Sequence, residues 1–263
     1  MTVHLQRAVK GAAAAEVRWL ETISRRAVWV DVDESVRRGA LSAEASGVIA
    51  HAADTAREKG LPLVMTIGSS GADIVEGVAA LHGWGQAAKA IAKCSGYVPI
   101  ITVVTGPAVS GPALLIGLSD IVIMTSDSYA FVSGPTMVAE FTGIKINNDE
   151  LGGADIHAKQ SGVAHLVVAD RQSAIAEVEH VLSFLPDNVD EIARATMTSD
   201  PVDRLTPEAG RLIPESSTGS YDVKQVIQAI ADDGYLLELR ARWAANIVTC
   251  LITISGQSVG VVA

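Results

Sequence analysis

The chain has 263 residues, which is enough for one large domain with a substantial core. Hydrophobic residues make up 49% of it and charged residues only 19%, a composition that excludes intrinsic disorder. The formal net charge of −10 makes nucleic acid a poor partner, because an acidic surface repels phosphate backbones. We treat residues 1–263 as a single domain.

Cysteine spacing and hydropathy indicate the compartment. Cys94 and Cys250 fit no metal-ligand spacing, which argues against a zinc site and predicts buried thiols in a reducing cytoplasm. The N-terminus has no apolar segment typical of a signal peptide. The apolar stretch 97–124 is interrupted by Gly106-Pro107 and Gly111-Pro112, which favours a strand, a turn and a buried helix over a membrane span. We therefore expect a cytoplasmic protein without a metal ion or a membrane partner.

Along the chain, apolar runs alternate with segments of helical periodicity. Residues 1–26 predict a helical, alanine-rich lead. The predicted strands that follow are 27–32, 61–67, 98–105, 121–125 and 129–132, and the predicted helices are 41–59, 72–93, a short one within 107–118, 173–184 and 221–233. Residues 143–165 are glycine-rich and polar, 187–220 predict an extended excursion, and two strands around Ser255-Gly256 close the chain. This alternation predicts an α/β fold of stacked βαβ units.

Two loops each follow a buried strand and lead into a helix. They are Gly68–Gly77 (GSSGADIVEG) and Gly106–Leu115 (GPAVSGPALL). Small residues let backbone N–H groups approach a ligand, and a helix N-terminus favours negative charge. Two such loops side by side could direct two N–H donors at one carbonyl oxygen, forming an oxyanion hole. The same residues are also typical of tight strand-to-helix turns without a ligand.

Longer segments carry a resemblance to a known family. Gly71-Ala72-Asp73-Ile74 resembles the first oxyanion loop of the crotonase superfamily, and 106–124 resembles its second loop, helix and following strand. From about residue 28 to 263 the chain is similar to the N-terminal half of the carboxyltransferase subunit of propionyl-CoA and related acyl-CoA carboxylases. The matching strings are YAFVSGPTMV (129–138), ELGGADIHAKQSGVAHL (150–166), LSFLP (182–186), DPVDRL (200–205) and YDVKQVIQAIADDG (221–234). The resemblance implies a crotonase-like (ClpP/crotonase) ββα superhelix.

The resemblance also implies a mechanism and a set of site residues. In the family this half binds an acyl-CoA, whose thioester enolate forms in the oxyanion hole and attacks a carboxyl group carried on biotin. Carried over, the catalytic positions are Ser70, Gly71, Ser110 and Gly111. The implied substrate-binding positions are Ala72, Pro112, Ala113, Gly134, Pro135, Gly152, Gly153, Ala154, Arg37 and Arg38. His157, Ser161 and His165 lie in a family string but receive no catalytic step.

The loops also contain the departures from the family. Ser70-Gly71 stands where the family usually has Gly-Gly, and Asp73 stands where it commonly has Arg, which reverses a charge near an anionic ligand. The second loop reads Ser-Gly-Pro-Ala at 110–113, and its proline removes one N–H. Arg37 and Arg38 replace an aromatic residue and the start of a Gly-Gly pair. They are either solvated or contacts for CoA or carrier phosphates.

Complete family subunits continue for about as long again, into a half that faces biotin. We expect neither that half nor a Met-Lys-Met biotin attachment segment in this chain. CoA is then expected as part of the substrate, and biotin only from a partner. Three functions remain open: a carboxyltransferase component that works in a homo- or hetero-oligomer with a C-domain chain; a biotin-independent decarboxylase or carbon–carbon bond-forming enzyme acting on an acyl-CoA or acyl-carrier substrate; and a non-catalytic structural subunit of a carboxylase complex.

Overall fold

The computed structural model describes residues 2–9, 11–216 and 218–263. Its strands are β1 (Val3–Arg7), β2 (Ala13–Leu20), β3 (Arg25–Val32), β4 (Leu63–Ser69), β5 (Ile100–Val109), β6 (Ile121–Thr125), β7 (Tyr129–Phe131), β8 (Leu166–Val168), β9 (Leu237–Leu239), β10 (Thr249–Ile254) and β11 (Gln257–Val262). Its α-helices are α1 (Ala43–Lys59), α2 (Val78–Cys94), α3 (Gly111–Ile116), α4 (Pro135–Thr142), α5 (Asn148–Gly152), α6 (Ala154–Ile156), α7 (Arg171–Ser183), α8 (Pro207–Arg211) and α9 (Val223–Ile230).

The larger sheet has eight strands in the order β1-β2-β3-β4-β5-β6-β8, and β7 pairs with the end of β5. β1, β2 and β3 are antiparallel, whereas β3, β4, β5, β6 and β8 run parallel. A smaller antiparallel sheet has the order β11-β10-β9. The parallel part confirms the predicted βαβ units, because a parallel pair needs a crossover connection.

Both faces of the parallel strands are covered, which explains their continuous apolar sequences. Every residue of β4 and β6 is buried. On one face α1 and α2 pack against alternate residues such as Val30 and Met65, and on the other α7 packs against Val64 and Ile101. Leu237 and Leu251 of the smaller sheet join this second cluster, so that sheet packs against the α7 side.

The predicted helical lead at 1–26 is wrong. The described residues there form β1, β2 and the start of β3. In β2 the side chains of Ala13, Ala15 and Val17 are buried, and the residues between them are more exposed. Alanine favours a helix locally, but this two-residue alternation and pairing along the whole of β3 determine the structure.

Two boundaries near the loops also differ from the prediction. α2 begins at Val78 rather than at residue 72, since Gly77 has a φ of 52° that no helix accommodates. β5 continues through 106–109, which we expected to be loop, because β7 pairs with it there. The glycine-rich stretch 143–165 contains α5, α6 and a π-helical turn over His157–Ser161.

The cap of α1, the hairpin around Ser255-Gly256 and the buried thiols are confirmed. Ser42 caps α1 by accepting a hydrogen bond from the Ala45 N–H at 3.0 Å, and Gly60 ends the helix in the left-handed conformation. β10 and β11 form the closing hairpin around Ser255-Gly256. Cys94 and Cys250 are buried free thiols. Among the helices of the described ranges, none is both long enough and apolar enough to cross a membrane.

Candidate active site

The two loops singled out in the sequence meet at one edge of the large sheet. β4 and β5 are parallel neighbours, so their carboxyl ends lie side by side, with Ser69 paired to Ala108. A methyl group placed on Gly71 would lie 3.4 Å from the Val109 carbonyl oxygen and 3.7 Å from Cβ of Ser110. The first loop (69–77) and the second loop (109–111) are therefore in contact.

The first loop is paired along one side with the segment 38–41. The Ser70 N–H donates to the Arg38 carbonyl at 2.9 Å, the Leu41 N–H donates to the Gly71 carbonyl at 2.9 Å, and the Asp73 N–H donates to the Leu41 carbonyl at 2.9 Å. Successive backbone groups of an extended chain point to opposite edges. The Ala72 N–H consequently faces away from Leu41, and it has no protein acceptor among the described residues.

The second loop makes a sharp turn from β5 into α3. Ser110 has a φ of 62° and a ψ of −120°, which is rare for a residue with a side chain. Its N–H donates to the Phe131 carbonyl at 2.9 Å. The Gly111 N–H is the first of α3, where helix geometry leaves N–H groups without an internal acceptor, and no other acceptor occurs within the described residues.

Each loop therefore has an N–H group without a protein acceptor among the described residues, that of Ala72 on the first loop and that of Gly111 on the second. We expected Ser70 and Ser110 to contribute N–H groups, but in the structure both N–H groups are bonded to protein carbonyls. The Gly71 N–H makes only a long contact of 3.3 Å with Ser69 Oγ. The proline at 112 removes an N–H that this arrangement does not need, and it lies in the first turn of α3, where proline is tolerated.

Gly111 is held by the indole of Trp84 on α2. A Cβ atom on Gly111 would lie 2.8 Å from both Cδ1 and Nε1 of Trp84, closer than real contacts allow. The Trp84 Nε1–H itself is buried and has no hydrogen-bond partner within the described ranges. Trp84 therefore fixes the position of the second loop by shape rather than by a hydrogen bond.

The charged side chains of the first loop are paired with protein groups. Asp73 is buried, and its Oδ2 lies 2.5 Å from Nη2 of Arg37. Glu76 accepts a hydrogen bond from the Ala43 N–H at 2.7 Å, at the start of α1. We had interpreted Asp73 as a charge facing a ligand, whereas the structure pairs it with Arg37.

The remaining predicted positions divide into two groups. Gly134 and Pro135 begin α4 directly after the strand whose Phe131 carbonyl holds the second loop, and both are half-buried beside it. The segment 152–154 is buried, and a side chain on Gly152 would overlap the Ala130 carbonyl, so this segment packs closely against β7. Pro112 is buried as well, whereas Ala113 is half-buried on α3.

The histidines of the family string have structural partners. His157 Nε2 lies 2.8 Å from the Ala130 carbonyl, and its Nδ1 lies 2.8 Å from Ser161 Oγ. His165 Nδ1 accepts a hydrogen bond from the Val122 N–H at 3.1 Å. Burial, followed by the nearby charge of Arg240, lowers the pKa of His165 to about 4. No group of three or more metal-binding side chains occurs in the ranges that the structure describes.

Sequence reasoning missed two features of this site. It did not identify the Ala72 N–H as a donor without a protein acceptor, because that property depends on pairing with residue 41, far away in sequence. It also treated Arg37 and Asp73 as separate departures. Opposite charges on two neighbouring loops were the only available signal for their pairing.

Comparison with known proteins identifies the family. The carboxyl transferase domain family matches residues 22–263. The chain is 36% identical over 244 residues to the propionyl-CoA carboxylase beta chain of Roseobacter denitrificans, covering 92% of this chain and 48% of that protein. It is 36% identical over 231 residues to the methylmalonyl-CoA carboxyltransferase 12S subunit of Propionibacterium freudenreichii, covering 88% of this chain and 44% of that protein. It is 35% identical over 244 residues to the methylmalonyl-CoA decarboxylase subunit alpha of Veillonella parvula, covering 92% of this chain and 48% of that protein.

A solved structure has the same fold as this chain. The transcarboxylase 12S structure described as a hexamer assembly, with methylmalonyl-coenzyme A and methylmalonic acid bound, superposes with a TM-score of 0.92 at 33% identity, covering 95% of this chain and 49% of that one. The fold is therefore crotonase-like, as the sequence predicted. The chain spans about half the length of the curated relatives it matches. It belongs to the carboxyl transferase domain family.

Proposed function

We propose that the chain is the acyl-CoA-binding part of a carboxyltransferase, in which the Ala72 and Gly111 N–H groups stabilise the enolate of a CoA thioester. One observation carries this proposal: two adjacent loops at the same sheet edge each have an N–H group without a protein acceptor among the described residues, Ala72 on one and Gly111 on the other. Preorganised donors of this kind stabilise negative charge that develops on a carbonyl oxygen. The relatives named above act on CoA thioesters, which supports the choice of substrate class.

Arg38 is our candidate for contact with CoA or carrier phosphates. Its backbone carbonyl holds Ser70, which puts the residue beside the first loop. Its side chain is exposed and forms no ion pair within the described residues, whereas Arg37 is engaged with Asp73. A free guanidinium suits phosphate recognition. Of the two arginines, only Arg38 is therefore proposed as a phosphate ligand.

We further propose that a partner chain covers the loops. Large apolar side chains are exposed next to them: Ile74, Val75, Val78 and Leu81 beside the first loop, and Val132, Met137, Phe141 and Ile144 beside the second. Ile74 is 91% exposed and Phe141 83%, and α4 buries no residue at all. Several large apolar side chains exposed in neighbouring segments are typical of an interaction site. We assign it to a chain carrying the second, biotin-facing half of a carboxyltransferase.

Biotin would come on a partner and supply the carboxyl group, and the partner half would contact it. This chain's own part is to bind the thioester and orient its carbonyl between the two N–H groups. We propose a cytoplasmic location, in keeping with two buried free thiols. Decarboxylation through the same enolate is a second candidate, favoured by the similarity to the methylmalonyl-CoA decarboxylase subunit.

Isothermal titration with two ligands that differ only at the thioester carbonyl tests the oxyanion hole. Propionyl-CoA has that oxygen, whereas S-propyl-CoA, a thioether, does not. Two hydrogen bonds to the oxygen should make propionyl-CoA bind roughly tenfold tighter or more. Equal affinities would contradict the hole, and binding of neither ligand would contradict CoA recognition. Two assays separate the candidate reactions. One measures transfer of the carboxyl group from a carboxybiotin carrier to propionyl-CoA after addition of a C-domain chain, and the other measures release of carbon dioxide from methylmalonyl-CoA.

A further inference from the structure

Arg37 and Asp73 form one ion pair that joins the first loop to the turn preceding α1. The Asp73 side chain is 4% exposed, and that of Arg37 is 45% exposed. Asp73 Oδ1 accepts a hydrogen bond from the Val75 N–H at 3.1 Å, whereas Oδ2 has no hydrogen bond of regular geometry. The charge of Arg37 is thus the main compensation for a buried carboxylate oxygen.

The turn that carries Arg37 has an unfavourable backbone conformation. Arg37, Arg38 and Gly39 are all left-handed, with φ values of 52°, 57° and 69°. Only glycine adopts this region readily, and at Gly39 a side chain would also overlap the Gly68 carbonyl. Two consecutive arginines in this conformation need contacts that hold them there.

Besides the hydrogen bonds within the turn itself, two hydrogen bonds connect it to the first loop. The Arg38 carbonyl accepts from the Ser70 N–H, and the Gly39 carbonyl accepts from Ser69 Oγ at 2.6 Å. The ion pair is the only side-chain contact of charged groups between this turn and the loop in the described residues. The ion pair lies just after Ala72, so the turn contacts the loop on both sides of Ala72.

We propose that the Arg37–Asp73 ion pair is a positioning device that aims the Ala72 N–H into the oxyanion hole. The inference rests on the proposed function, because Ala72 is a donor only if the loops bind a thioester. Asp73 follows Ala72 directly, so fixing its side chain and its N–H restricts the peptide that carries the donor. Asp73 and Arg37 both depart from the family pattern, and in this proposal their charges compensate each other. Neither residue is then a mark of an inactive site.

The pair also has an electrostatic role. A lone carboxylate one residue from Ala72 would repel negative charge on the ligand oxygen. Arg37 cancels that charge. Loss of Arg37 should therefore weaken the interaction with a polarised thioester carbonyl more than it weakens the contacts to the rest of CoA.

The test compares Arg37→Gln, Arg37→Lys, Asp73→Asn and the exchanged pair Arg37→Asp/Asp73→Arg. The matched control is Arg211→Gln, which breaks an exposed ion pair with Glu208 on α8. Amide hydrogen exchange at Ser70, Leu41 and Asp73 reports on the pairing of loop and turn. The affinity ratio of propionyl-CoA to S-propyl-CoA reports on the hole without requiring turnover.

We expect Arg37→Gln and Asp73→Asn to speed exchange at these amides by about tenfold. In Arg37→Gln, which leaves the carboxylate unpaired, we expect the thioester preference to fall to near one while the affinity for S-propyl-CoA changes by less than about twofold, which loss of a purely structural contact would not produce. Asp73→Asn also removes the negative charge, so its thioester preference should fall less. Arg37→Lys and the exchanged pair should restore most of both signals, and Arg211→Gln should match the wild type.

Unchanged exchange and unchanged thioester preference in Arg37→Gln would overturn the proposal. A variant with faster exchange but a full thioester preference would overturn the link to the hole. If the wild type itself shows no thioester preference, the proposed function fails, and the exchange measurement alone then decides whether the pair positions the loop.

Discussion

Gly111 lies where the indole of Trp84 leaves no room for a side chain. We predict that Gly111→Ala removes most of the preference for propionyl-CoA over S-propyl-CoA, because a Cβ 2.8 Å from the ring must displace the loop that carries the N–H donor. Overpacking should also lower the free energy of unfolding by roughly 1–3 kcal/mol. Isothermal titration and urea denaturation measure the two effects.

Two further variants show whether the ring is the cause. Gly210→Ala, at an exposed site with open space around it, should leave ligand preference unchanged. Trp84→Leu combined with Gly111→Ala should recover part of the preference, since the smaller side chain frees the space. If Gly111→Ala keeps the full preference, Gly111 is not held in the way described.

At the residue scale, the sequence singled out two loops that meet in the structure, but it did not predict which of their N–H groups lack a protein acceptor. Small residues after two buried strands were enough to find both loops. Whether Ser70 or Ala72 offers its N–H depends on a backbone bond to Arg38 and a bridge to Leu41, and no local pattern specifies such contacts. The same limitation applies to the Phe131 carbonyl that binds the Ser110 N–H.

At the scale of elements, two glycines of α2 should respond oppositely to the same substitution. Gly83 packs on α1, where a Cβ would lie 2.9 Å from Cα of Ala43, while Gly85 has open space. We predict that Gly83→Ala lowers the free energy of unfolding by roughly 1–3 kcal/mol because it forces the helices apart. Gly85→Ala should raise it by about 0.5–1 kcal/mol, since alanine favours a helix over glycine.

Urea denaturation of both variants measures this difference, and shifts of the same sign would contradict the packing argument. The Gly83 variant should also disturb the first loop. Ala43 is the residue whose N–H donates to Glu76 of that loop, so moving α1 changes a loop anchor. Packing of α1 on α2 and the geometry of the loop are thus linked through one residue.

Strands and helices were predicted correctly where a segment is buried on both faces. They were predicted wrongly where pairing with a distant strand determines the secondary structure. β4 and β6 are buried on both faces, and their unbroken apolar runs were sufficient. β2 contains three consecutive alanines, a composition that predicts a helix, and only its alternate burial and its pairing with β3 make it a strand. Boundaries at Gly77 and Val109 were set by a positive φ and by pairing with β7, both of which need the assembled fold.

At the scale of the molecule, His165 connects the two sheets. Its Nδ1 accepts the Val122 N–H of β6, and its carbonyl accepts the Arg240 N–H, just after β9. Arg240 also donates from Nε to the Gly162 carbonyl at 2.7 Å. The imidazole is buried and must be neutral to accept from Val122, so protonation would act on the junction rather than on one loop.

We predict that this junction makes stability fall with pH in a defined window. The pKa of His165 is lowered from 6.5 to about 4, mainly by burial. Above 6.5 the group is neutral in both the folded and the unfolded chain, so the folded state keeps its full stability. As pH falls from 6.5 towards about 4, only the unfolded chain binds the proton, and stability decreases. Between about pH 7.5 and about pH 5 this one group should remove roughly 2 kcal/mol from the free energy of unfolding.

Urea denaturation at the two pH values measures this loss of stability. His165→Gln keeps an acceptor for the Val122 N–H but cannot titrate, so it should abolish the part of the pH dependence of stability that comes from this imidazole. His51→Gln, on the exposed face of α1, should retain that pH dependence. An unchanged pH dependence in His165→Gln would show that protonation of this imidazole does not control the junction.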